Sequence, residues 1–290
     1  MNPAPSVILF TVLSGLGFGG MVFLATGFLT LAGWPAFFGW ALGYGLAVGG
    51  LCASAFHLGN PQRALLAFTQ WRSSWLSREA WGAVLALLAL APCALADWLG
   101  FGWPYGLRLL AAALALGTVF ATAMIYTTIR AVPRWHHWTT PALFLGFALA
   151  GGALLTLQGG LAVALLAILA VVQGAAFVLG DGQFAARGAS MATATGLSGR
   201  GGMSVFEAPH TGGNYLLREM IHVVGRRHAL KLRVIAVLGA SVLPALFVLT
   251  GGPLAQGLAV LSHLGGVLAA RWLFFAEAEH VVGLYYGRRG

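Results

Sequence analysis

The sequence predicts an all-α integral membrane protein. The expected architecture is a bundle of eight transmembrane helices, with one long extramembrane connection between helices 6 and 7. Three observations predict it. Of 290 residues, 59% are hydrophobic and 8% are charged, and the mean hydropathy is +0.85. A soluble domain carries about 25% charged residues. Apolar stretches repeatedly reach the roughly 20 residues that a bilayer-crossing helix needs. The alternating pattern of barrel strands is not seen, so helices are the remaining way to satisfy the backbone in lipid.

The chain 1–290 reads as one membrane domain, with spans at about 7–31, 36–58, 81–99, 107–130, 140–157, 160–180, 232–250 and 254–275. The first apolar stretch has no preceding Lys or Arg and no cleavage-type boundary after it. It is therefore expected to be a membrane helix and not a cleaved leader. Gly33-Trp34-Pro35 marks the first turn. Trp98, Trp103 and Tyr105 flank the third and suit an interfacial aromatic belt. The 42 glycines include Gly15, Gly19, Gly20, Gly43, Gly45, Gly49 and Gly50, at spacings that let helix backbones approach closely.

The connection at about 181–231 is the only extensive non-membrane region expected. It opens with the loop-like Asp181-Gly-Gln183 and contains Gly196-Leu-Ser-Gly199-Arg-Gly-Gly202. Residues 214–225 carry apolar side chains at helical spacing and read as an amphipathic interfacial helix. Such a long connection suits a docking platform for another subunit, or a surface helix that merely joins two spans.

Charge predicts the topology. With eight spans, the N-terminus, the even-numbered connections and the C-terminus share one side. That side collects Arg63, Arg72, Arg78, Arg130, Arg134, Arg187, Arg233 and most other basic residues, while Arg108 lies near the other. The positive-inside rule then places both termini in the cytoplasm, with the chain multi-pass in the cell inner (plasma) membrane. The formal net charge of +9 is read as topology signalling. The basic residues are scattered over short connections and form no stripe for nucleic acid, which is not an expected partner. Cys52 and Cys93 lie inside apolar segments and read as small buried thiols.

The groups able to do chemistry concentrate at residues 57–79. His57 ends the second expected span, Glu79 stands just before the third, and Arg63, Arg72 and Arg78 lie between them. Antiparallel helices would return His57 and Glu79 to one surface. A quinol must lose two protons with its two electrons. A histidine that titrates near neutrality and a carboxylate beside it could take and relay them. Arg63 and Arg78 could hold Glu79 ionised. The blander reading is a capped helix start, with Ser77 or Glu79 as the cap.

His263 is the one histidine well inside a span, and no spacing pairs it with another as a haem ligand. With two cysteines, the chain is expected to hold no iron–sulfur cluster of its own, since such clusters usually take four thiolates. A haem is likewise not expected. Pro92 and Pro244 fall inside spans. They would suit the interrupted helices of a secondary transporter, the alternative class, with a binding site near the midplane. A purely structural anchor is a third reading.

Several long strings resemble one family. They are His57-Leu-Gly-Asn-Pro-Gln-Arg63-Ala and Trp71-Arg-Ser-Ser-Trp-Leu-Ser-Arg-Glu79, then Thr193-Ala-Thr-Gly-Leu197 and Phe206-Glu-Ala-Pro-His-Thr-Gly-Gly-Asn-Tyr-Leu-Leu-Arg-Glu-Met220. The tail Arg271-Trp-Leu-Phe-Phe-Ala-Glu-Ala-Glu-His280 and Leu284-Tyr-Tyr-Gly287 complete the set. The sequence resembles the DmsC family, the membrane anchor subunits of dimethyl sulfoxide (DMSO) reductase-type molybdoenzymes. The resemblance implies a three-subunit complex of anaerobic respiration. This chain would oxidise menaquinol, and a four-cluster iron–sulfur subunit would carry the electrons to a molybdopterin subunit that reduces an S-oxide or N-oxide. It implies that His57 and Glu79 belong to the quinol site. Arg63 and Arg78 join that candidate site by their proximity in the motif.

Overall fold

The computed structural model describes residues 3–56, 60–197, 203–204, 206–207 and 228–286. His57 and the expected amphipathic helix at 214–225 lie outside the described residues. The regular structure among the described residues is all helical, and seven of the helices are long and apolar enough to cross a membrane. These are α1 (Pro5–Ala25), α2 (Gly33–Ala55), α3 (Trp75–Leu99), α4 (Tyr105–Thr127), α6 (Gly159–Ala186), α8 (Ala229–Thr250) and α9 (Pro253–Ala276). The fifth expected span is α5 (Thr139–Leu155), an apolar helix of 17 residues, shorter than the others. The short α7 (Met191–Thr195) follows α6 and is closed by a capping box between Ser190 and Thr193.

Several boundaries differ from expectation for local reasons. α1 stops at Ala25 because Gly27 takes a left-handed conformation, φ +77°, two residues later. α3 begins at Trp75 and not near residue 81, so Glu79 lies inside the helix and not before it. α6 runs on to Ala186, so Asp181-Gly-Gln183 is helical where a loop was expected. Pro92 sits inside a continuous α3. Pro244 follows a π-helical segment, Leu238–Val242, and begins the last part of α8 (Leu243–Thr250). Ser262 and His263 of α9 answer that irregular stretch. Ser262 Oγ donates to the Gly239 carbonyl at 3.0 Å, and His263 Nδ1 lies 2.6 Å from the Ala240 carbonyl. His263 is thereby committed to the packing of α8 on α9.

Helix α1 is the central pillar: most of its length is buried and its neighbours surround it. Glycine permits the closest approaches. A Cβ on Gly19 would collide with the Ala148 carbonyl of α5, and one on Gly152 with the backbone of Gly19. Alanine supplies much of the remaining core of α3 and α4: Ala83, Ala86, Ala111 and Ala115 are nearly or fully inaccessible. Without water-driven burial between helices in lipid, such close van der Waals packing is what holds the bundle together.

Two ion-pair groups mark the two ends of the bundle. At one end Arg108 pairs with Asp97 at 2.5 Å, and Trp40 Nε1 donates to the same carboxylate at 2.9 Å. At the other, Arg134, Asp181, Arg233 and Glu277 close a ring. Arg233 Nε meets Glu277 at 2.6 Å and Arg233 NH2 meets Asp181 at 2.6 Å. Arg134 contacts Asp181 as well and reaches Glu277 at 3.2 Å. The ring joins the connection after α4, the end of α6, the start of α8 and the end of α9. All four are parts that the topology expected from eight spans would put on the arginine-rich side.

Candidate functional site

The segment from Pro61 to Ser74 lies against the first turns of α3. It forms a 3-10 helix, Pro61–Phe68, and then a turn. α3 grips it with three side chains. Ser77 Oγ accepts from the Gln70 backbone at 3.3 Å, Trp81 Nε1 donates to the Phe68 carbonyl at 3.0 Å, and Arg78 donates to the carbonyls of Trp71 and Arg72 at 3.0 and 2.7 Å. The Arg78 guanidinium also stacks 4.4 Å above the Trp75 ring. Arg78 is therefore spent on holding the loop. Arg63 is exposed on the 3-10 helix. Among the described residues neither arginine pairs with Glu79, which corrects the expectation that they hold it ionised. Successive helical residues point about 100° apart, so Arg78 turns to the loop as Glu79 turns inward.

Glu79 is 5% exposed. Thr122 of α4 donates its hydroxyl to Oε1 of Glu79. The same hydroxyl also contacts the Thr118 carbonyl of its own helix at 3.1 Å. No other hydrogen bond to Glu79 is made among the described residues. The carboxylate faces a small cleft, lined also by Thr11, Ser14, Leu51, Thr118 and Phe144. Leu51 belongs to the last turns of α2, so the chain passes this cleft on its way to His57. Tyr126, one turn beyond Thr122, lies within electrostatic range of both Glu79 and Arg271. Cβ-free Gly15 and the hydroxyls of Thr11 and Ser14 complete the wall on α1, the hydroxyls donating to the Val7 and Phe10 carbonyls of their own helix.

This arrangement can do one thing well. A carboxylate sealed from bulk solvent, with one oxygen held by a single hydroxyl, offers its other oxygen to a hydroxyl entering the cleft. Burying an ionisable group in a bundle at this depth is costly, and such groups face cavities where they work. The sequence singled out Glu79 but missed Thr122 and Tyr126. The one trace of Thr122 is a pair of threonines a turn apart, Thr118 and Thr122, in a helix otherwise made largely of Ala and Leu.

Residues 1–193 match the family described as the DMSO reductase anchor subunit (DmsC). The chain belongs to the DmsC family. It is also 34% identical, over 330 aligned positions covering 99% of each chain, to the C subunit of the sulfite dehydrogenase of Allochromatium vinosum. No solved structure matches it. As a DmsC-family anchor it is a multi-pass membrane subunit that works with the catalytic subunits of an oxidoreductase complex. The 57–79 stretch falls within the matched region, so the gripped loop and the buried Glu79 are parts of a DmsC-type anchor. Among the described residues no group of three His, Cys, Asp or Glu is placed to hold a metal ion.

Proposed function

We propose that this chain exchanges electrons and protons between a membrane quinone pool and its partner subunits, with Glu79 as the proton-handling group and His57 as its companion. The observation that carries the proposal is the inward Glu79, held by Thr122 and facing a cleft at the arginine-rich end of the bundle. A quinol hydroxyl would hydrogen-bond to the open carboxylate oxygen and lose its proton there as the ring is oxidised. The electrons pass to an iron–sulfur subunit docked on the same face, then to a molybdopterin subunit. Menaquinol is the proposed quinol. Arg63 and Arg78 act indirectly, Arg78 by fixing the loop that follows His57. The eight-span count, with α5 as a short fifth crossing, and cytoplasmic placement of both termini in the inner membrane belong to the same proposal.

The direction of flow is a second question. The likeness to part of a sulfite dehydrogenase favours a reading in which the catalytic subunit oxidises its substrate. The anchor would then reduce quinone, and Glu79 would deliver the proton it otherwise takes. A reductase acting on an S-oxide or N-oxide would use the opposite direction. One experiment addresses both. The complex is purified with this chain, its molybdenum and iron are counted, and quinol oxidation and quinone reduction are measured with wild-type and His57→Ala chains. Loss of both quinone activities in an assembled His57→Ala complex is the expected result. Unchanged rates would remove His57 from the site. A chain that purifies without metal-bearing partners would remove the electron route.

A further inference from the structure

Three buried side-chain atoms lack a hydrogen-bond partner among the described residues, and two of them, Arg271 Nε and Gln173 Oε1, belong to residues lining one cleft. The cleft lies between α5, α6 and α9. Arg271 is 2% exposed and Gln173 1% exposed. Gln173 donates its amide to Ser241 at 2.8 Å, so its carbonyl oxygen is left to accept.

Arg271 is a cation without a counter-ion. It forms no ion pair among the described residues. Its guanidinium lies 3.4 Å from the Phe144 ring centroid and 5.2 Å from that of Phe147. Such ring contacts stabilise a cation far less than its removal from water costs it. The charged residues at the cleft are two cations, Arg134 and Arg271, and one anion, Glu277. Glu277 is already taken by Arg134 and Arg233, and Asp181 beyond it by the same two arginines. The cleft therefore has one uncompensated positive charge.

Its remaining walls are apolar, with Leu143, Phe147, Phe177 and Phe274 among them. Arg271 stands five residues before the end of α9. At a rise of about 1.5 Å per residue that is roughly 8 Å from the helix end, close under the headgroup layer. An occupant that complements these features carries one negative charge, a hydroxyl and an acyl chain.

We propose that this cleft binds the anionic headgroup of a phospholipid. The phosphate accepts a hydrogen bond from Arg271 Nε and neutralises the guanidinium, a headgroup hydroxyl donates to Gln173 Oε1, and an acyl chain lies along the phenylalanine wall. Basic pockets between helices on an arginine-rich face suit such headgroups. The proposal does not depend on the quinol reading: the cleft shares no lining residue with the one at Glu79, and Phe144 stands between Arg271 and that second cleft.

The test uses the full chain, washed free of lipid in mild detergent and offered phosphatidylglycerol, phosphatidylcholine or inorganic phosphate. Native mass spectrometry reads retention, and melting reads protection. Phosphatidylglycerol is expected to stay at about one per chain and raise the melting temperature, while the other two do neither. Arg271→Gln and Ala270→Leu, the latter filling the cleft without touching its charge, are each expected to reduce retention to background. If Arg271→Gln does not fold, Ala270→Leu decides alone. Equal retention of phosphatidylcholine, equal protection by inorganic phosphate, wild-type retention in Ala270→Leu, or no retention of any lipid would each overturn the proposal. Protection by inorganic phosphate would specifically assign the site to a free oxyanion.

Discussion

Thr122 on α4 donates its hydroxyl to Glu79 on α3, and this is the one hydrogen bond the carboxylate receives among the described residues. The contact joins neighbouring helices and fixes which oxygen remains open toward the cleft. Glu79→Gln keeps the volume and the acceptor oxygen but removes the exchangeable proton. Quinol-linked turnover is expected to fall by about 100-fold, with assembly and melting temperature close to wild type. An unchanged rate and pH profile would show that Glu79 only packs.

Thr122→Val removes the hydroxyl without changing the shape. A buried acceptor that loses its partner costs about 1–3 kcal/mol. The variant is expected to melt earlier and to bind quinol more weakly, a change in KM more than in kcat. An equal loss in both would place Thr122 in the chemical step instead.

The ring of Arg134, Asp181, Arg233 and Glu277 has unequal members. Glu277 is buried, with 5% of its side chain exposed, whereas Asp181 is 50% exposed. Glu277→Gln leaves two arginines sharing one carboxylate in a poorly solvated place and is expected to cost about 3 kcal/mol. Asp181→Asn is expected to cost about 1 kcal/mol or less. Thermal unfolding of the two variants in the same detergent gives the order, and equal costs would contradict this account.

Helix contacts supply a matched pair. Gly152→Ala would drive a methyl group into the backbone of Gly19 and force α1 and α5 apart. A cost of about 1–3 kcal/mol or failure to accumulate is expected. A Cβ on Gly45 meets nothing within 4 Å, so Gly45→Ala is expected to be neutral or slightly stabilising. Comparison of expression and melting tests whether contact, and not glycine content, sets the tolerance.

His137, in the connection after α4, has its pKa pushed below the ordinary 6.5 by partial burial and then by the nearby Arg187. The folded state therefore binds fewer protons than the unfolded one below that pH. Stability is full above about 6.5 and declines as pH falls. His137→Asn is expected to flatten the melting-temperature slope below about pH 6.5. An unchanged slope would mean that other groups set it.

Hydropathy made the helices legible, because seven of them are long and strongly apolar. The start of α3 was not, since Trp75-Leu-Ser-Arg-Glu79 carries the polar residues of an interface and reads as a loop. That is why Glu79 was expected at a surface and not inside the helix. The partners of Glu79 depend on which faces of α3 and α4 meet, which a run of Ala and Leu does not specify. The ring was hidden for another reason. Its four members are spread over 144 positions from Arg134 to Glu277, counted inclusively, and only the folded topology brings them together. Likewise nothing in Leu238-Gly-Ala-Ser-Val242 announces a π-helical segment, whose Gly239 carbonyl accepts from Ser262 and whose Ala240 carbonyl meets His263.

That ring has a consequence for how the molecule is divided. Arg134 and Asp181 come before α7 in the chain, Arg233 and Glu277 after it, and each cation holds a carboxylate from the other part. Gln173 and Ser241 repeat the same cross-link deeper in the bundle. The peptide linkage between α7 and α8 is thus not what keeps the last two helices in place. Made as two separate polypeptides broken between α7 and α8, the protein should therefore assemble as a split pair.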